Sequence, residues 1–114
     1  MEWEVQIVES AKDFILKLEK KMRAKIYRTI NLLKMFGLSL TKPHSKRLKG
    51  VEKLRELRVK HSNNICRLFY FFYKDKIFII TSGYIKKSKK TSKKEIEKAL
   101  KKMNKILEEK DENI

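Results

Sequence analysis

The sequence predicts an α+β domain: a small sheet dominated by antiparallel strands, an N-terminal helical hairpin and a C-terminal helix. Three observations carry this. Residues 2–7 alternate polar and apolar; the segments LRELRV, ICRLFYFFY and IFIITSGYI read as three successive strands; and apolar residues recur at helical spacing on either side of them. At 114 residues the chain fits one domain, 1–114, with enough length to bury a real core.

Trp3, Val5 and Ile7 alternate with Glu2, Glu4 and Gln6, the pattern of a half-buried strand. Ser10 with Asp13 resembles a capping box, after which Ala11, Phe14, Ile15 and Leu18 mark a short amphipathic helix. Lys20 and Lys21 read as a polar hinge, and Met22, Ile26, Ile30 and Leu33 form the stripe of a longer helix. Gly37 is expected to close that helix in the left-handed conformation. Residues 38–50, with Pro43, His44 and several basic residues, read as a loop. In 54–59, Leu57 and Val59 share one face while Glu56 and Arg58 share the other. Ser62-Asn63-Asn64 supplies a turn, and 65–73 is apolar on both faces except at Arg67, as expected of a central strand covered on both sides. Lys74-Asp75-Lys76 connects it to a third strand, 77–85, completing an antiparallel meander. Ser92 and Glu95 form a capping box for a terminal helix carrying Ile96, Ala99, Leu100, Met103, Ile106 and Leu107, with 108–114 expected to fray.

Thirty basic against fourteen acidic residues give a formal charge of +16, which favours polyanionic partners, nucleic acid first. A disordered basic tail is excluded by 41% hydrophobic residues, among them six Phe, four Tyr and one Trp. Cys66, the single cysteine, lies in the most apolar strand and reads as a buried, reduced thiol. No signal peptide or membrane span is expected from the N-terminal residues, so the cytoplasm is the expected compartment.

The segments KPHSKRLKG, LRELRV, ICRLFY and SGYIKKSKKTSKKEIEKAL, in this order and spacing, resemble the HigB-like branch of the RelE toxin superfamily, also called phage-derived Gp49-like proteins. The resemblance covers nearly the whole chain. It implies a RelE-like fold and the toxin role in a type II toxin-antitoxin system: a ribosome-dependent, metal-independent endoribonuclease that cuts messenger RNA in the aminoacyl site and so inhibits translation. The implied chemistry is attack of a ribose 2′-hydroxyl on the adjacent phosphate. The implied partners are the ribosome, messenger RNA and a helix-turn-helix, HigA-like antitoxin, with DNA contacted only through that antitoxin and no membrane involved. No cofactor is implied.

Carried onto this sequence, the resemblance makes Arg67 of R-x-F-Y a phosphate-binding or transition-state-stabilising residue, and a bidentate guanidinium suits a phosphorane. The alternative is a structural arginine paired with Glu56. Arg58 of E-L-R is expected to contact the same or an adjacent phosphate, or else to pair with Glu56 or Asp75. Lys87 and Tyr84 complete the candidate catalytic set, Tyr84 as a proton donor or base-stacking residue. Lys46, Lys49, Arg55, Lys86, Lys89 and Lys90 are the candidate RNA contacts, Arg55 standing where the family usually has an aromatic residue; the alternative for the lysines is a solvated run.

The groups that move protons stay open: His44 and His61 titrate in the right range, but no motif fixes either. Two histidines and one cysteine do not give metal-ligand spacing, and three glycines make no phosphate loop. A DNA-binding protein is disfavoured, because no helix combines a basic face with a recognition-helix context. The rival reading is a non-catalytic basic domain of the same fold that binds RNA or a partner and cuts nothing.

Overall fold

The computed structural model describes residues 2–88 and 90–112. Its elements run β1 (Glu4–Ile7), α1 (Glu9–Leu16), α2 (Lys20–Phe36), a 3-10 turn (Gly37–Ser39), β2 (Ser45–Leu48), β3 (Val51–His61), β4 (Asn64–Lys74), β5 (Ile77–Lys86) and α3 (Lys93–Glu112). The strands form one sheet in the order β1-β5-β4-β3-β2, in which only the β1–β5 pair is parallel. The expected meander is therefore β3-β4-β5, with β4 at the centre.

Both faces of β4 are covered, which is why its sequence is apolar at almost every position. On one face Leu57, Val59, Cys66, Leu68, Tyr70, Phe78 and Ile80 pack against Ala11 and Ile15 of α1 and Met22, Ile26, Ile30 and Leu33 of α2. On the other face Leu54, Phe69, Phe71 and Ile79 pack against Ala99 and Met103 of α3. The two connections within the meander are two-residue turns, with positive φ at Ser62 in the first and at both Asp75 and Lys76 in the second.

Several boundaries differ from those expected. The break between the first two helices falls at residues 17–19, and Lys20 and Lys21 already belong to α2. Val8, not Ser10, precedes α1, because its N–H is still bonded to Ile80 in the sheet, at 3.1 Å. Ser10 Oγ instead accepts a hydrogen bond from Lys102 Nζ at 3.1 Å. The segment 38–50, expected to be a loop, contains β2: four residues, SKRL, held as an edge strand by their pairing with β3 rather than by any alternation strong enough to read. Residues 108–112 are helical, and 113–114 lie outside the described residues.

Gly37 does close α2, with φ 56° and ψ −130°, a region only glycine enters readily, rather than in the left-handed helical well. Its missing side chain also admits Trp3: a Cβ at this position would lie 2.0 Å from Trp3 Cε2. Trp3 in turn stacks on Phe78, 5.1 Å between ring centroids, and donates its backbone N–H to Lys34 O at 2.7 Å. Gly37→Ala therefore meets both backbone strain and overpacking, and is expected to cost about 2 kcal/mol or more and lower Tm by on the order of 10 °C in thermal unfolding followed by circular dichroism.

Candidate active site

Strand register brings the motif arginines together. Arg58 on β3 lies opposite Arg67 on β4, and Arg67 lies opposite Tyr84 on β5, so the three share one cross-strand row and one face. The neighbouring row holds Lys46, Glu56, Phe69 and Ser82. This is the face that α3 covers with Ala99 and Met103, and the chain leading into α3 passes over the Arg58–Arg67–Tyr84 row. The site thus lies where the apolar cover of the sheet ends and the lysine-rich connection begins.

A bulge makes this row possible. Between Tyr70↔Ile80 and Phe69↔Ser82 the pairing shifts, with Thr81 as the extra residue, so Ser82, Tyr84 and Lys86 turn to the face opposite Phe78 and Ile80. Without it Tyr84 would face α1 and α2.

Glu56 organises the charges. Its carboxylate is fully buried; Oε1 accepts from Arg58 Nε at 2.5 Å and lies 3.6 Å from Arg67 Nε, while Oε2 accepts from Thr91 Oγ1 at 2.7 Å. Arg67 is also fully buried. Its Nη2 donates to Ser88 O at 2.5 Å, and its guanidinium carbon lies 5.7 Å from the Tyr84 ring centroid. Its Nε and Nη1 have no hydrogen-bond partner among the described residues. Among the described residues two guanidinium groups thus face a single carboxylate, and Arg67 keeps unspent donors in a low-dielectric setting, which suits an anion.

Tyr84 stacks on Phe69, with centroids 5.8 Å apart, and its Oη accepts the Ser92 N–H at 2.8 Å. Burial is the main reason its phenol ionises above the usual tyrosine range. The phenol is therefore protonated at neutral pH. Ser92 Oγ accepts from the Glu95 N–H at 3.4 Å, the capping box expected at the start of α3.

The remaining candidates divide. Lys86 follows Tyr84 on the same face at the end of β5, Lys87 and Lys90 are exposed on the connection beside Ser88, and Lys46 is half-buried next to Glu56 in the register. Lys89 lies outside the described residues. Arg55 does not belong to this face: it lies opposite Tyr70, bonds that tyrosine, and donates to Leu38 O at 3.3 Å. Lys49 is in the β2–β3 hairpin, roughly 25–30 Å along β3 from Arg58 at strand rise. Asp75, at the β4–β5 turn, is not the partner of Arg58. His61 is paired with Glu19 at 2.9 Å, on the face of Leu57 and Val59, and His44 lies beyond the start of β2. Thr91 was not among the sequence candidates, and Glu56 was named only as the alternative partner of Arg67 and Arg58; the structure shows both pairings. The signal for Glu56 was an acid two residues before Arg58, and therefore on the same strand face.

Cys66 faces the helical core, and burial pushes its thiol up to about 12, with the nearby Arg67 pulling the other way. It is chemically silent. Among the described residues no group of three His, Cys, Asp or Glu side chains could hold a metal ion, and no helix is long and apolar enough to cross a membrane.

The fold is that of the RelE toxins. Over 80% of this chain and 100% of the other, it superposes on RelE in the archaeal RelE–RelB complex of Pyrococcus horikoshii OT3 with a TM-score of 0.57 at 20% identity. A mutant of E. coli toxin RelE in the free state gives 0.57 at 17% identity over 73% of this chain and 82% of that one. The intact E. coli RelBE toxin-antitoxin complex gives 0.56 at 16% over 77% and 99%. No curated protein matches the sequence. Residues 13–104 match the model of the family described as phage derived protein Gp49-like, and the chain belongs to that family.

Two outcomes are expected here. Glu56→Ala leaves Arg67 buried without its counter-charge and costs about 3–5 kcal/mol in denaturant unfolding, whereas Glu56→Gln, which keeps the shape and one acceptor, costs less. Cys66 resists a thiol reagent at pH 8 in the folded protein and reacts on unfolding. Because its folded pKa is raised, the associated stability is complete below the unfolded thiol value near 9 and is lost as pH rises towards about 12.

Proposed function

We propose that this protein is the toxin of a type II toxin-antitoxin pair, an endoribonuclease that cuts messenger RNA in the aminoacyl site of the ribosome. The observation that carries the reading is the Arg58–Arg67–Tyr84 row, with Arg67 fully buried and two of its donors unspent. Family membership supports it, as do structural relatives that are toxins, two of them solved with their antitoxins.

In this reading the scissile phosphate takes the position now held by the Ser88 carbonyl. Arg67 and Arg58 then hold its non-bridging oxygens and stabilise the charge that grows as a phosphorane forms. The ribose 2′-oxygen attacks phosphorus and gives up its proton to solvent water, and the bond from phosphorus to the 5′-oxygen breaks. The products are a 2′,3′-cyclic phosphate and a 5′-hydroxyl. Tyr84, neutral and with its own O–H free to donate, protonates the leaving 5′-oxygen; Lys86, Lys87 and Lys90 hold the strand. Glu56 fixes both guanidinium groups and touches no substrate atom. A helix-turn-helix antitoxin of the HigA kind neutralises the protein.

The complete covering of Arg67 by Ser88 and Glu56 is the one observation that favours the second reading, a basic binding domain without catalysis. Primer extension on a defined messenger, with and without programmed bacterial ribosomes, separates the two. Cuts at the aminoacyl-site codon that need ribosomes and fall about 10²-fold or more in Arg67→Ala are expected. Folded, ribosome-bound protein that makes no cuts would establish the binding domain instead. Expression without the antitoxin is expected to arrest growth, and co-expression of the antitoxin to restore it.

A further inference from the structure

β2 is too short to cover β3. Their ladder ends at Ser45↔Leu57; beyond it the Arg58 N–H reaches His44 O at 2.9 Å, and the rest of that edge of β3 has no partner strand. α2 runs alongside the open edge, and between them lies a cleft of about 310 Å³. Lys25 and Arg28 of α2 and Arg58 and Lys60 of β3 line it, over a floor that includes Leu32 and Val59. None of the described residues lining it carries a carboxylate.

Four cations around one small concavity repel each other; Arg58 is held by Glu56 and Lys25 Nζ donates to Lys60 O at 3.5 Å, but no carboxylate among the described lining residues offsets the surplus. The gathering makes sense as a site for an anion. Its volume is at the low end for ligand pockets, so it takes a length of single strand rather than a duplex. Four cations line it against a single imidazole, His44, and no Phe, Tyr or Trp is among the described lining residues, so phosphates rather than bases dominate recognition.

Arg58 connects this cleft to the site already described. It lines the cleft and also donates to Glu56 on the face of Arg67, so the two surfaces are continuous around the edge of β3. We infer that the cleft is a backbone-binding subsite for the messenger strand next to the phosphate held by Arg58 and Arg67, with Lys60, Lys25 and Arg28 taking successive phosphates. The identity of the strand rests on the nuclease reading; the binding of single-stranded RNA does not.

The test is fluorescence anisotropy with a mixed-sequence RNA of about twelve nucleotides, 2′-O-methylated so that it cannot be cut, between about 50 and 200 mM salt. The full-length protein is compared with Lys25→Ala/Arg28→Ala and with Lys101→Ala/Lys105→Ala, which removes the same charge from exposed positions on α3. The cleft variant is expected to bind about tenfold more weakly at low salt, with a log–log salt slope shallower by about 1.4, two single-strand contacts' worth. The α3 variant should change by less than about twofold, and Lys25→Arg/Arg28→Lys should restore binding. A trinucleotide held at Arg67 and Arg58, too short to run on past Arg58 to Lys25 and Arg28, should not distinguish cleft variant from wild type.

Equal losses in the cleft and α3 variants, an unchanged slope in the cleft variant, or no binding of the longer RNA by the wild type would each overturn the inference. The assay contains no ribosome and no cleavage step. An altered slope with no ribosomal cuts would therefore leave the subsite standing and remove the nuclease, and the reverse pair of results would do the opposite.

Discussion

The interaction on which the rest depends is the buried carboxylate of Glu56 between two arginines. A guanidinium at the centre of a sheet, fully removed from water, is untenable without a counter-charge, and among the described residues Glu56 is the acid that supplies it. The same carboxylate fixes Arg58 through Oε1 and Thr91 through Oε2. Three separate stretches of sequence, E-L-R, R-x-F-Y and K-T, are thereby joined at a single group. That junction explains why these short motifs occur together in this chain: each supplies one partner of a network that is costly when incomplete.

The network is also incomplete in a particular way. Among the described residues one carboxylate faces two guanidinium groups, and Arg67 retains donors at Nε and Nη1. A purely structural pair would end in satisfaction, as the Ser45–Tyr70 hydroxyl contact does on the other face, at 2.5 Å. Here the surplus is held in place by a rigid three-strand ladder, so the charge that would meet an anion is positioned before the anion arrives. Little reorganisation remains for the moment of binding, which is where electrostatic stabilisation gains its advantage over water.

Most of this was legible in the chain. Period-two and helical spacing located the two large helices, the meander and α3, because each of these elements buries one clear stripe or both faces. β2 was not legible, since four residues of an edge strand carry no period of their own. Nor was the bulge at Thr81, which reverses the parity of β5 and brings Tyr84 beside Arg67; the run IFIITSGYI reads equally well as an unbroken strand. Arg55 is a different case. It is three residues from Arg58 in one strand, so alternation alone assigns it to the helical face, and strand parity outranks the pull of a basic residue near a motif. Lys49 shows the corresponding limit of motif proximity in the other direction: a hairpin carries it to the far end of the sheet.

What stands over Arg67 is a backbone carbonyl, and its chemistry matters. The Ser88 oxygen is a neutral acceptor, whereas a phosphate oxygen is charged, and a charge-assisted bond to arginine is roughly twice as strong as a neutral one. Exchanging one for the other gains free energy at the arginine and frees a carbonyl that water can solvate on an exposed connection. Had an acid stood there instead, the guanidinium would be satisfied and an incoming phosphate would have to displace a charge as strong as its own. Glu56 approaches Arg67 from the β3 side, so the cation is stabilised without its remaining donors being spent. The arrangement keeps a buried arginine both tolerable and available, and it does so with an acid on one side and only a peptide dipole on the other.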